Sequence, residues 1–305
     1  MVTKYEKDRE QSRVTASGQS GASGQNTTAA PDETTHQNAT IAGQDATVDQ
    51  ENTASGQFGV KKRAWPKRLA ITLLVLIAIA CTTFYVYTSD YYHAGETATE
   101  MMDELADSGQ LQESESGIAL GDSQAQTGII LYPGAKVDPV SYVPLAYEFA
   151  QKGYYCVIAK MPFNLAFFGI DEASELMNAA PGVDFWWLAG HSLGGAMGAS
   201  YAASHSSELQ GMIFLAAYST NDLSTSGLRA VSIYGSNDGV LNRDALVENE
   251  SNLPQDSLME VIDGGNHAGF ADYGPQEGDG ESVIGAPAQW SETASLVDEV
   301  IESTR

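Results

Sequence analysis

The stretch that most restricts the fold is Leu188-Ala189-Gly190-His191-Ser192-Leu193-Gly194-Gly195. Before it, Val183-Asp184-Phe185-Trp186-Trp187-Leu188 is a short apolar run of strand type. After it, Gly195-Ala196-Met197-Gly198-Ala199-Ser200-Tyr201-Ala202-Ala203 has the small side chains of a helix packed close to a sheet. A serine on a sharp strand-to-helix turn, with glycine two residues to either side, is the pattern of a nucleophile elbow. Gly190 and Gly194 have a steric role in it, because side chains there would collide where strand and helix pinch together around a strained serine. Alone, the five-residue pattern also fits an ordinary Gly/Ser turn, so its weight depends on what surrounds it.

What surrounds it alternates. Gly117-Ile118-Ala119-Leu120 and Gly128-Ile129-Ile130-Leu131-Tyr132 read as short strands separated by a polar turn. Residues 142–152 place Val143, Ala146, Phe149 and Ala150 at helical spacing, residues 154–159 read as a strand, and 171–179 as a helix. After the elbow come apolar runs at 211–216, 228–234 and 258–262, then an acidic amphipathic helix at 288–302. Short strands taking turns with helices predict an α/β fold, a mostly parallel sheet with helices on both faces. In such sheets ligands bind at the carboxyl ends of the strands.

The first part of the chain is of another kind. Residues 1–60 are rich in Ser, Thr, Gln, Asn, Gly and Ala, with too little apolar content for a core, and read as a disordered cytoplasmic segment. Residues 61–88 hold the basic cluster Lys61-Lys62-Arg63-Ala64-Trp65-Pro66-Lys67-Arg68, followed by an uncharged run from Leu69 to Tyr87. That run is about the ~20 residues a bilayer-spanning helix needs. Basic residues before it and Asp90, Glu96 and Glu100 after it predict a cytoplasmic N-terminus and an extracytoplasmic C-terminal part at the cell membrane. A cleaved signal peptide is the alternative, since Ala78-Ile79-Ala80 resembles a cleavage site. Residues 89–112 read as a stalk or edge helix, and 113–305 as the α/β domain.

Charge divides at the apolar run. Nine of the fifteen Lys+Arg but only eight of the forty Asp+Glu precede Leu69, leaving six basic and thirty-two acidic residues after it. So acidic a domain is poorly suited to nucleic acid or an anionic membrane surface. The expected partners are a small-molecule or envelope-derived acyl substrate and the membrane through one N-terminal helix, with no nucleic acid. Cys81 and Cys156 are the only cysteines and cannot form a disulfide framework. Zinc-type spacing is absent, so neither metal nor cofactor is expected.

An elbow serine needs a base. Of five histidines, His36 is in the disordered segment, His93 borders the membrane run, His191 should point away from the serine hydroxyl, and His205 ends the following helix. His267, in the glycine-rich loop Asp263-Gly264-Gly265-Asn266-His267-Ala268-Gly269-Phe270 after the last strand, is left as general base. The base needs a carboxylate to fix its tautomer. Asp238, directly after the strand run ending at Tyr234, is the first choice and Asp263 the second. An oxyanion needs two N–H donors. They are expected from Leu193, after the serine, and Ala135, in Tyr132-Pro133-Gly134-Ala135-Lys136-Val137. The cleft is expected to be walled by residues 161–164 and 270–280, with residues 216–228 too short for a lid.

From Gly117 onward the sequence resembles the α/β-hydrolase superfamily. It is similar in particular to small cap-less members near the dienelactone hydrolases, through YPGAKVDP at Tyr132, GHSLGG at Gly190, IYGSNDGV at Ile233 and GGNHAGF at Gly264. The resemblance implies a serine hydrolase with Ser192, Asp238 and His267 as triad and Ala135 and Leu193 as oxyanion donors. Dienelactone hydrolases carry cysteine at the elbow; Ser192 departs from them in the nucleophile, which argues against a dienelactone substrate. Ester or related acyl hydrolysis through an acyl-enzyme is the leading expectation. An acyltransferase using the same triad and a non-catalytic exported binding domain are the alternatives.

Overall fold

The computed structural model describes residues 65–304; the polar segment 1–60 and the start of the basic cluster lie outside it. Helix α1, Trp65–Ser89, contains a span of 23 residues (Lys67–Ser89) whose most apolar 18-residue stretch has mean hydropathy 2.5, long and apolar enough to cross a membrane. No polar face interrupts it, which is the pattern of a helix whose surroundings are apolar on every side.

From Cys81 the chain belongs to a compact unit built on an eight-stranded sheet in the order β1-β2-β4-β3-β5-β6-β7-β8. The strands are β1 Leu111–Glu113, β2 Gly117–Leu120, β3 Thr127–Tyr132, β4 Tyr155–Ala159, β5 Phe185–His191, β6 Gly211–Leu215, β7 Arg229–Gly235 and β8 Leu258–Ile262. From β4 to β8 all neighbours are parallel; β1 and β2 form an antiparallel edge. Buried on both faces, β3 and β6 are apolar at nearly every position, as strands covered from both sides must be.

Helices α3 (Val143–Gln151) and α7 (Ala286–Glu302) pack together on one face, joined by α2 (Glu96–Asp107) against α3. Their core includes Leu145, Phe149, Ile129, Ile213, Trp290 and Val297. On the other face α4 (Glu172–Ala179) and α5 (Leu193–His205) cover Ile130, Leu188, Met212 and Phe214. A short α6, Arg243–Glu248, follows β7 and is capped by the Asn242 side chain, which accepts from Ala245 N–H at 3.0 Å. Both cysteines are free, and Cys156 is buried in β4, where desolvation pushes its thiol up. Because six parallel strands end on the same rim, the loops after β3, β4, β5, β6, β7 and β8 meet there, and residues remote in sequence can converge.

Candidate active site

Ser192 sits between β5 and α5 with φ 52° and ψ −120°, a backbone conformation that a residue bearing a Cβ rarely adopts. Its neighbours hold it there. Ser192 N–H donates to the Leu215 carbonyl at 2.9 Å, and its own carbonyl accepts from Gly195 at 3.0 Å. A Cβ on Gly190 would lie 2.5 Å from the backbone of Gly194 and Gly195, and one on Gly194 would strike the carbonyl oxygens of Tyr132 and Pro133. The strand, the helix and the loop after β3 are thus packed backbone to backbone around the serine, which is why both flanking positions are glycine.

Asp238 and His267 meet across the rim. The Asp238 carboxylate, buried after β7, accepts from Val240 N–H at 2.9 Å and Leu241 N–H at 2.8 Å through Oδ1. Its Oδ2 lies 2.9 Å from Nδ1 of His267. A carboxylate oxygen accepts, so Nδ1 carries the proton and the lone pair is on Nε2. That Nε2 is buried and has no hydrogen-bond partner among the described residues. Asp263, the second choice for the acid, is not the residue bonded to this ring.

Ser192 and His267 line one cavity of about 320 Å³ together with Leu193, Ala216, Tyr218, Leu241 and Asn242. The expected walls at 161–164 and 270–280 do not line it; Ala216, Ala217, Tyr218 and Thr220, with residues 240–242, do. Strand order gives the reason. β6 adjoins β5 and β7 follows next to it, whereas β4 is separated from β5 by β3. Among the described residues, the N–H groups of Leu193 and Ala135 are not engaged by the hydrogen bonds that tie down their neighbours Gly134, Lys136 and Val137.

Three supporting residues were not singled out by the sequence. Asp279 gathers four backbone N–H groups. Oδ1 accepts from Gly239 at 3.0 Å, His267 at 3.2 Å and Gly280 at 2.8 Å, and Oδ2 accepts from Ala268 at 2.9 Å. One carboxylate therefore fastens the loop of Asp238 to the loop of His267. Arg243 braces the same turn, donating to the Ser236 carbonyl at 2.8 Å.

Tyr142 is the third. Its hydroxyl accepts from Gly134 N–H at 2.8 Å and lies 2.7 Å from Nδ1 of His191. With its oxygen already accepting, the hydroxyl directs its own proton to Nδ1, which assigns the His191 proton to Nε2. His191 indeed leaves the serine hydroxyl alone, but it is no bystander: its ring centroid is 4.7 Å from that of His267. Burial first, and then the neighbouring His267, hold its imidazole well below the ordinary histidine range. A neutral ring there adds no positive charge beneath His267. Lys136 pairs with Asp90 at 3.1 Å and covers the Tyr87 ring at 4.7 Å, a structural engagement at the rim. Among the described residues no group of three or more His, Cys, Asp or Glu side chains is arranged to hold a metal ion.

A mostly parallel sheet with a strained serine between its central strand and the next helix defines the α/β hydrolase class. The chain belongs to the α/β hydrolase family, whose model matches residues 128–291, more than half of the chain, running from Gly128 in β3 to beyond His267. It is on that ground a hydrolase. Similar solved structures include a predicted CIB-like hydrolase from Thermoplasma acidophilum, 17% identical, covering 62% of this chain and 98% of that one at TM-score 0.48. An α/β hydrolase enzyme from the metagenome of lagoon sediments at Mar Chica, Morocco, is 16% identical over 64% of this chain and 98% of that one, at TM-score 0.49. The dienelactone hydrolase from Anabaena variabilis is 15% identical over 64% of this chain and 98% of that one, at TM-score 0.46. None of the curated proteins compared with the chain matches it.

Proposed function

We propose that this hydrolase is a membrane-anchored, extracytoplasmic serine esterase that cleaves ester or related acyl bonds through an acyl-enzyme. The observation that carries the reading is the 2.9 Å contact of His267 Nδ1 with Asp238, which leaves Nε2 unpartnered beside a cavity shared with Ser192. In the reaction, the Ser192 hydroxyl adds to the acyl carbon as its proton passes to Nε2 of His267. The N–H groups of Leu193 and Ala135 hold the resulting oxyanion. Collapse expels the alcohol, which takes the proton from the imidazolium and leaves an acyl-serine. Water then adds, giving its proton to His267, and the second collapse releases the acid and restores the serine. Asp238 keeps the ring in the tautomer that can accept, and stabilises it when charged.

The anchoring part of the reading is supported by the apolar helix Lys67–Ser89, by the basic cluster before it and by the acidic domain after it. Covalent labelling by a fluorophosphonate tests the chemistry. The chain should be labelled at Ser192, Ser192→Ala should remove both the label and turnover of simple esters, and its thermal unfolding should stay cooperative. Labelling that persists in Ser192→Ala would refute the assignment. Protease accessibility of the domain in intact cells tests the orientation.

A further inference from the structure

Beyond Ser89, six large hydrophobic side chains are exposed among the described residues, and three of them share one loop: Phe163 at 55%, Phe167 at 63% and Phe168 at 47%. The other three, Phe185, Leu258 and Val283, come from separate elements. Scattered single side chains are ordinary, whereas a contiguous apolar cluster marks a contact surface. The rings do form one cluster. Phe168 lies 5.6 Å from Phe163 and 5.5 Å from Phe167, and Phe84 lies 5.0 Å from Phe163 and 5.8 Å from Phe168.

The loop keeps this arrangement against its own backbone preference. Phe163 and Asn164 have φ of 59° and 55°, a conformation that is a genuine outlier for a bulky residue and that persists only where its surroundings impose it. One restraint is the Asn164 carbonyl, which accepts from Lys136 N–H at 2.7 Å.

The same Lys136 ties down the chain as it leaves helix α1. Its carbonyl accepts from Tyr92 N–H at 2.7 Å, and the Tyr92 carbonyl accepts from Asp138 N–H at 2.9 Å. Tyr92 comes only three positions after Ser89, the last residue of α1, so the helix end is within about 10 Å of this stitch by chain length alone. The aromatic loop is bonded to the other side of the same residue. Tyr85, Tyr87, Tyr91 and Tyr92 crowd this point, the residue type that concentrates where a spanning helix meets water. The loop follows β4, so it stands on the carboxyl rim that also carries Ser192 and His267.

We propose that Phe163, Phe167 and Phe168 dip into the lipid bilayer as a second attachment besides α1. They hold the carboxyl rim against the membrane surface, so that the enzyme draws acyl esters dissolved in the bilayer in preference to esters dissolved in water. The inference rests on reading Lys67–Ser89 as a membrane span and, for its substrate class, on the serine esterase reading. The attachment is apolar rather than electrostatic, since the domain is strongly acidic and carries few basic residues.

The test uses the full chain in dioleoylphosphatidylcholine vesicles. Alkaline carbonate extraction reports the span. Phe167→Trp, compared with the unsubstituted chain, reports the loop through quenching by phosphatidylcholine brominated high on its acyl chains. Added quenching of the substituted chain supports the proposal. No added quenching in a chain that resists carbonate overturns it while the span stands. Release by carbonate refutes the span and the proposal together.

A kinetic arm uses the double variant Phe167→Ser/Phe168→Ser. It should lose roughly tenfold in hydrolysis of a long-chain fluorogenic ester dissolved in the vesicles, with a short water-soluble ester hydrolysed as before. Equal effects on both esters, or none on either, overturn the proposal. A chain hydrolysing neither ester before substitution refutes the esterase reading, and the quenching arm then decides the attachment alone.

Discussion

The two ends of the sheet make their sharp turns from different residues. At the amino edge the left-handed positions fall on Gly109, Gly121, Gly153 and Gly227, where no Cβ has to be accommodated. At the carboxyl rim glycines serve too, but Lys136, Phe163, Asn164, Ser192 and Ala216 also take positive φ, and among the described residues these are all the non-glycine examples. They follow β3, β4, β5 and β6. Glycine could fill each position with less strain, so what is retained there is the side chain. Strain gathered at one end and absent from the other separates a working edge from a scaffolding edge.

The comparison can be broken at several points. The largest effect is expected from Asp238→Asn, which keeps the shape of the rim but no longer fixes the His267 tautomer. Its kcat should fall about 10⁴-fold with unfolding almost unchanged. A loss of only a few fold would remove Asp238 from its assigned role. Next is Asp279→Asn, which weakens four backbone attachments without touching substrate. A displacement of the His267 loop by even part of an ångström should lower kcat on the order of tenfold to a hundredfold, with KM little changed.

Stability effects divide the two edges more sharply. Gly194→Ala drives a methyl into the carbonyls of Tyr132 and Pro133 and should cost about 3 kcal/mol in chemical unfolding, with loss of activity. Gly153→Ala, with φ +92° and open space around it, should cost about 1 kcal/mol and leave kcat/KM intact. Equal costs at both sites would erase the distinction. Ser192→Gly should do the reverse of Gly194→Ala, relaxing the elbow by about 1 kcal/mol while abolishing turnover.

The smallest effect concerns pH. Folded His191 resists protonation because it is buried beside His267. Below the ordinary histidine pKa of about 6.5 the unfolded chain therefore binds more protons than the folded one. The sign follows: stability is full above that value and declines as pH falls through it. His191→Gln, which keeps an acceptor near Tyr142, should flatten this decline by about 1 kcal/mol per pH unit in urea melts. An unchanged slope would show that His191 is not the group responsible.

Much of the fold was legible because each element is local. The apolar runs ending at Tyr132, at Leu188 and at Ala216 announce buried strands by composition alone, and the elbow announces itself by two glycines that sterics demand. The three-residue strand Leu111–Glu113 was not legible, since half-exposed edge pairing needs only a partner and no pattern of its own. Loop order along the chain also misplaced the cavity walls, because nearness to Ser192 follows strand order in space. Asp279 and Tyr142 were invisible for a related reason. Both act by hydrogen bonds to backbone amides, which every residue supplies and no motif records.

The first turn of helix α5 holds Gly194 and Gly195 after Leu193, and the helix continues through Gly198, Ala199 and Ala202, all five of these small residues buried. A Cβ on Gly194 would strike the carbonyl oxygens of Tyr132 and Pro133, and one on Gly195 the Cβ of Ala217 and the carbonyl of Gly190, so the first turn under the serine has no room for a methyl. The cavity is bounded instead by Tyr218, Thr220, Val240 and Asn242, on loops that bear little of the core. Variation is thus closed to the foundation and open to the lining. Anyone retailoring this hydrolase for a bulkier or more polar substrate should recut those four positions and leave the floor alone.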